Sequence, residues 1–232
     1  KRQYLLWKKM LKYSDAVVLY FDSFEKELKD LTGVVSEKIH IIPNPAPFQT
    51  KEISDSLNKR IVYVGRLVKT QKRIDILLEL WKKLHKDFPD WQFDLVGDGP
   101  YMGTAKEFIK ANKLDRIKIH GKQNPLPFWD KGDIFTLTSD FEGYGMVLIE
   151  AQARGTVPVS FNCFSAIDEV IANNSSGIIL NENSIDEAYY EVKSLILDKR
   201  RLLKFKENGA DQVKKFDKDK IAETWISLFN KL

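Results

Sequence analysis

Cysteine is nearly absent. Cys163 is the single one in 232 residues, so no disulfide can close within the chain and no thiolate cluster can hold a metal. That usage fits a reducing compartment and predicts a cytoplasmic location. Histidine is almost as scarce. His40, His85 and His120 lack metal-ligand spacing and read as structural or solvent-facing. Long apolar runs are missing too: Val17-Val18-Leu19-Tyr20 and Ile134-Phe135-Thr136-Leu137 fall far short of the roughly 20 residues that span a bilayer. The opening KRQYLLWKKMLKYSDA is basic and aromatic, without the apolar core or cleavage site of a secretory leader. It also lacks an initiator Met, so the chain reads as cut from something longer. There are no internal repeats, no low-complexity tracts and no nucleic-acid motif.

What is present is an ordinary soluble composition, 43% hydrophobic and 30% charged, at a length that permits a sizeable core. The net charge of +4 comes from Lys and Arg spread through helical patterns, not packed into one stripe. It reads first as a solvated lysine-rich surface, with peripheral contact at the inner face of a membrane left open.

Short apolar runs alternate with longer helical patterns. Strands are predicted at 61–64, 93–96, 117–120, 134–137, 157–160 and 177–180, and helices at 73–85, 101–112, 145–154 and 166–172. The strand runs are continuously apolar, which favours a parallel sheet covered on both faces. In the helix at 73–85, Ile74, Leu77, Leu78, Trp81 and Leu84 recur at three- and four-residue steps and make one apolar face. Trp81 is therefore expected in the core. Helices are further expected at about 184–197, 199–216 and 218–231, with Asn183 or Ser184 capping the first and Asp217 the last. Trp225, Ile226 and Phe229 form an apolar patch on the last, which either crosses to a partner domain or packs on its own.

The beginning of the chain is different. A helix leads to a strand at 16–20, a helix at 23–32 and a strand at 38–42, and then Pro43-Asn44-Pro45-Ala46-Pro47. Alternate prolines make a stiff extended link. Residues 1–42 read as the last βα piece of another domain, 43–50 as a linker, and 51–232 as the main domain.

Four stretches carry chemistry. In the first, Gly65-Arg66 follows a strand, and Lys72 stands six residues beyond Arg66. A helix N-terminus there favours anions. Arg can fork two phosphate oxygens while Lys offers a mobile charge, and the two together suit a diphosphate. Lys69 can replace either, and plain surface cations are the alternative. The second is Val96-Gly97-Asp98-Gly99-Pro100, a tight turn that also admits close backbone approach. In the third, Gly121-Lys122 ends another strand and can approach a nucleotide.

The fourth is the most informative: Asp140-Phe141-Glu142-Gly143-Tyr144-Gly145, with Glu150 eight residues after Glu142. The glycines let backbone N–H groups turn toward a ligand, and a helix opens near Gly145. Glu150 lies roughly 7–8 Å along that helix. Ionised carboxylates accept several hydrogen bonds and so suit the hydroxyls of a sugar and a ribose. Glu150 stands among Met146, Val147, Leu148, Ile149 and Ala151, which predicts partial burial and hence a role that repays it. Spacing alone does not exclude a hydrolase acid–base pair, but a hydrolase has no need of the clustered cations.

These marks, in their order, resemble the C-terminal, donor-binding domain of the retaining GT-B glycosyltransferases of family 4, the glycosyl transferases group 1. The matching features are Pro43-Asn44-Pro45, Gly65-Arg66 with Lys72, the 96–100 turn, Glu142 and Glu150 in a Glu-x7-Glu motif, Pro158-Val159, Glu169 and Ser176-Gly177. The resemblance implies an α/β fold, a Rossmann-like parallel sheet flanked by helices that forms the C-terminal half of a GT-B fold. It implies that Arg66 and Lys72 bind the donor diphosphate. Glu142, with backbone amides of Gly143, Tyr144 and Gly145, would hold the transferred sugar, and Glu150 would bind the ribose. Gly65 and Lys122 would line the nucleotide site, and Met146 and Val147 would add backbone amides to the diphosphate bed. No metal and no cofactor are implied. The donor would be a UDP- or GDP-sugar, and the acceptor a glycan or lipid-linked hydroxyl bound by an N-terminal domain of which this chain has only a remnant. The chain alone is then expected to bind donor and transfer nothing. A sugar-nucleotide epimerase on the same plan and a non-catalytic nucleotide-sugar-binding module are the rivals. The segment before Glu169, Asn162-Cys163-Phe164-Ser165-Ala166-Ile167, departs from the family's Gly-Gly pattern.

Overall fold

A computed structural model describes residues 2–181 and 184–232. The chain forms two compact units: Phe48–Lys214, and the residues up to Pro47 together with Lys215–Leu232. The expected span 51–232 is thus divided, because its last residues pack with the beginning of the chain.

The first unit opens with α1 (Arg2–Tyr13), β1 (Val17–Leu19), α2 (Asp22–Thr32) and β2 (Ile39–Ile41). The two strands pair in parallel, Val17 opposite Ile39 and Leu19 opposite Ile41. Such a pair is marginal alone, and a small aromatic core supports it.

The second unit contains β3 (Arg60–Val64), α3 (Ile74–Asp87), β4 (Gln92–Val96), α4 (Met102–Ala111), β5 (Ile117–Ile119), α5 (Leu126–Trp129), β6 (Ile134–Leu137), α6 (Met146–Ala153), β7 (Val157–Phe161), α7 (Ile167–Val170), β8 (Ile178–Leu180), α8 (Ile185–Leu197) and α9 (Lys199–Gln212). Its six strands run β5-β4-β3-β6-β7-β8, every neighbouring pair parallel. All six fall where continuous apolar runs predicted them. On α3 the expected stripe is buried: Ile74, Leu77, Leu78, Trp81 and Leu84. Trp81 belongs to the core, as its spacing required.

Buried charge locks the amino ends of the central strands. Lys206 on α9 donates to Asp133 Oδ1 at 2.5 Å, while the Arg60 amide donates to Asp133 Oδ2 at 3.1 Å. Asp94, buried in β4, accepts from Arg60 Nη1 at 2.5 Å and lies 2.7 Å from His120 Nε2. His120 is therefore structural, and so is His85, 2.7 Å from Asp115.

Ser184 caps α8 by accepting from the Glu187 amide at 3.1 Å; the alternative cap, Asn183, lies outside the described residues. The chain then leaves the second unit through a 3-10 turn, Val213–Phe216, and ends in α10 (Lys218–Phe229), where Asp217 accepts from the Asp219 and Lys220 amides. Within the first unit Phe216 stands edge-on to Phe21 with centroids 6.3 Å apart, and its carbonyl accepts from the Ala46 amide at 2.8 Å. The buried residues of α10 are Ile221 and Leu228. Ile226 and Phe229, expected to lead its apolar patch, are exposed. A seven-residue step is two helical turns, so Ile221 and Leu228 share the inward face. No helix among the described residues is long and apolar enough to cross a membrane.

Candidate functional site

The chain runs outward from β3 through β4 to β5, then returns to add β6, β7 and β8 on the other side of β3. The order reverses between β3 and β6, and the crevice outside the carboxyl ends of such a strand pair is where open parallel sheets bind ligands. The loops that follow these two strands are the ones that hold Arg66, Lys72 and Glu142.

The two loops are joined along their length. Thr138 Oγ1 donates to the carbonyls of Lys72 and Arg73 at 3.0 and 3.2 Å. The Asp140 amide donates to Gln71 O at 2.8 Å, and Gln71 Nε2 to Phe141 O at 3.2 Å. Arg73 takes a left-handed backbone, φ 48° and ψ 50°, just before α3, a costly conformation for a non-glycine residue. Its guanidinium is held at 3.0 Å by Asp140 and at 3.3 Å by Asp75, which helps to fix the turn that delivers Lys72.

At the centre Lys72 Nζ donates to Glu142 Oε1 at 2.5 Å, with side chains 15% and 10% exposed. Ser139, fully buried, donates its hydroxyl to the same oxygen at 2.7 Å. The Glu142 amide donates to Cys163 O at 3.0 Å, so the departing 162–167 segment forms a wall of the acid motif. Burial, and after it the Glu142 charge, pushes the Cys163 thiol up to about 12. The same two causes raise the Tyr63 phenol, whose hydroxyl donates to Arg66 O at 3.1 Å. Arg66 itself is exposed.

Backbone alone builds the β3–β4 side of the crevice. The Gly65 amide donates to Val96 O at 3.0 Å, Leu67 to Asp98 O at 2.9 Å, Gly97 to Gly121 O at 2.8 Å and Tyr101 to Leu67 O at 3.0 Å. The 96–100 turn thus does more than reverse the chain. A β-carbon at Gly97 would lie 1.8 Å from Gly65 O, and one at Gly99 would lie 2.4 Å from Leu67 O. Lys122 is exposed beside this junction.

On the acid side Gly145 caps α6 at φ 77°, without a side-chain cap. The ring of Phe164 fills the space its β-carbon would occupy, 2.8 Å away. The first amides of α6, those of Met146 and Val147, follow directly and lack intrahelical partners. Glu150 lies further along α6, half-buried. Its Oε2 accepts from Trp129 Nε1 at 3.1 Å. Burial lifts its carboxyl above the usual range, and the indole hydrogen bond opposes that rise.

The structure therefore joins Lys72 directly to Glu142 and puts Gly65 against Gly97, while Glu150 meets Trp129, a residue the sequence reading did not single out. The sequence reading missed Ser139, Thr138, Trp129 and Phe164. Ser139 and Thr138 adjoin the acid motif and could have been found there; nothing local marks Trp129. Among the described residues no three His, Cys, Asp or Glu side chains are grouped to hold a metal.

The chain is 27% identical over 221 residues to an exopolysaccharide phosphotransferase of Streptomyces coelicolor, covering 94% of this chain and 23% of that protein. It is 24% identical over 199 residues to a poly(ribitol-phosphate) alpha-N-acetylglucosaminyltransferase of Staphylococcus aureus, covering 84% and 39% respectively. The pneumococcal O-GlcNAc transferase GtfA, solved in complex with UDP and GlcNAc, superposes with a TM-score of 0.86 at 19% identity, over all of this chain and 47% of that one. The chain thus spans half or less of each of these relatives, and its parallel sheet with flanking helices is that of GT-B glycosyltransferases. The model described as glycosyl transferases group 1 matches residues 48–212, and the chain belongs to that family.

Proposed function

We propose that this chain is the donor-binding half of a retaining family 4 glycosyltransferase, taking a nucleoside-diphosphate sugar and serving transfer of the sugar to a glycan or lipid-linked hydroxyl. The observation that carries the reading is the Lys72–Glu142 pair at the strand-order reversal, a cation and an acid on facing loops. The UDP and GlcNAc bound to a structural relative favour a UDP-sugar.

The chemistry follows from the residue types. Arg66 and Lys72 neutralise the diphosphate and stabilise the charge that grows on it as the glycosidic bond breaks. Arg66 is exposed and free to fold over phosphate oxygens. The first amides of α6 add fixed donors at the positive end of the helix. When phosphate draws Lys72 away, Glu142 is left to accept hydrogen bonds from sugar hydroxyls, with Ser139 still holding Oε1. Amides of Gly143, Tyr144 and Gly145 border the sugar, Gly65 and Lys122 border the base, and Glu150 takes the ribose. Retention follows from the resemblance to family 4, in which the acceptor hydroxyl attacks from the face the diphosphate leaves and the leaving phosphate accepts its proton. The acceptor site belongs to an N-terminal domain of which residues 1–42 are the last part, and donor chemistry of this kind belongs in the cytoplasm, at or near the membrane that holds a lipid acceptor.

Calorimetric titration with UDP, GDP, UDP-N-acetylglucosamine and UDP-glucose tests the proposal. Binding of one nucleotide is expected, weakened about tenfold or more by Lys72→Ala and by Arg66→Ala. Failure of every nucleoside diphosphate to bind folded protein would falsify the donor-site assignment. Sugar transfer by the 232-residue chain alone would overturn the division of labour.

A further inference from the structure

We infer that Trp129 is a positioning residue: its indole N–H holds one oxygen of Glu150 so that the other is presented to a nucleotide ribose. The inference rests on the donor-binding reading and adds to it a residue that does not touch the nucleotide.

Three observations carry it. First, Glu150 is half-buried on an apolar helix, where an unpartnered carboxylate is costly. Trp129 Nε1, 3.1 Å from Oε2, is the one partner its side chain has among the described residues. Second, an indole N–H can only donate, so the bond fixes which oxygen is occupied and leaves Oε1 open. Third, the indole cannot swing. Trp129 has no exposed surface, stands edge-on to Phe135 of β6 with centroids 5.1 Å apart at 89°, and has its carbonyl held by Thr156 Oγ1 at 2.8 Å. A carboxylate at the end of three rotatable bonds is thereby held in one pose by a rigid plate. The plate also ends α5, the segment that follows the Gly121–Lys122 loop. The Trp129–Glu150 hydrogen bond therefore ties the segment behind the Gly121–Lys122 loop to α6, and Arg154 at the end of α6 adds a second tie by donating to Asp130 at 2.7 Å.

Other roles for Trp129 make a different prediction. If it only fills the core, removing its N–H weakens all ligands alike. If it aims Glu150, removal weakens ligands that carry the ribose hydroxyl and spares those that lack it. The experiment measures affinities of UDP, 2′-deoxy-UDP and 3′-deoxy-UDP for the 232-residue chain and its Trp129→Phe and Glu150→Gln variants. Trp129→Phe is expected to weaken UDP about tenfold, to leave at least one deoxy analogue within about twofold, and so to erase most of the wild-type discrimination. Unchanged affinity for that analogue also reports an intact fold. If Trp129→Phe keeps full discrimination while Glu150→Gln loses it, the positioning role is wrong and the donor site stands. If the wild-type chain binds GDP and not UDP, the same comparison is made with GDP and its deoxy analogues; if it binds neither nucleotide, or treats the nucleotide and both analogues alike, the ribose assignment of Glu150 fails, and this inference with it. Should Trp129→Phe not fold, the indole Nε1–H resonance of Trp129 in the otherwise native chain decides. It must move on Glu150→Gln substitution and on UDP binding, and a resonance indifferent to both overturns the inference.

Discussion

Replacing Gly97 by alanine tests how the β3–β4 side of the crevice is built. The new β-carbon would stand 1.8 Å from Gly65 O and 2.9 Å from Gly65 C. Ordinary contact would require the two loops to part by roughly 1.5 Å. Both sides of the clash are backbone, so no rotamer change relieves it, and φ at Gly97 is 149°, a value side-chain-bearing residues rarely adopt. The displacement pulls on the Gly65–Val96, Gly97–Gly121 and Leu67–Asp98 hydrogen bonds. Loss of two of them at about 1 kcal/mol each, added to an overpacking cost of about 1–3 kcal/mol, gives a destabilisation of about 3–5 kcal/mol. For a unit of this size that lowers the melting temperature by about 10 °C. The control is Gly143→Ala, whose β-carbon meets nothing within 4 Å. It should melt within about 0.5 kcal/mol of the wild type yet bind nucleotide sugar more weakly, because the methyl group enters the space beside Glu142. Circular dichroism melts of the three proteins suffice. A Gly97→Ala chain that melts within about 2 °C of the wild type would refute the close backbone approach.

Three further outcomes are expected. Cys163, its thiol pushed up to about 12 by burial and by Glu142, should resist alkylation at pH 8 and react fully in denaturant; rapid labelling of folded protein contradicts the packing of the 162–167 wall. Glu150→Gln should melt above the wild type at pH 7. The folded carboxyl titrates above its unfolded value because burial disfavours its charge, so stability falls as pH rises through that acidic interval. The advantage should vanish below both titrations, and a gap that persists there would exclude burial as its source. Ser184→Ala should cost about 1 kcal/mol through loss of the α8 cap, read from the urea midpoint, with nucleotide affinity unchanged.

Much of this was legible in the residues because it is local. Continuous apolar runs gave the six strands, and the 74–84 spacing gave the buried stripe of α3. The glycines at 65, 97, 143 and 145 announced turns. What stayed hidden depends on partners distant in sequence. The four-residue helix α5, opening after Pro125 and containing Pro127, has no room for a periodic pattern. Trp129 therefore carries no mark of its own in the sequence, and its indole meets Glu150 21 residues on. Arg73, whose side chain is held by Asp75 and Asp140, carries no sequence sign of its left-handed backbone. The inward face of α10 stayed open in the sequence for a related reason. Three apolar residues at helical spacing define a possible face, and only the docking partner decides which one is used.

The return of residues 215–232 to the beginning of the chain bears on how the protein is made. Phe48–Lys214 is continuous and can assemble as soon as it has been synthesised. The other unit closes only when Phe216 reaches Phe21, a loop of nearly the whole chain, and long loops close late. The crevice between β3 and β6 should thus form before Phe216 docks on Phe21.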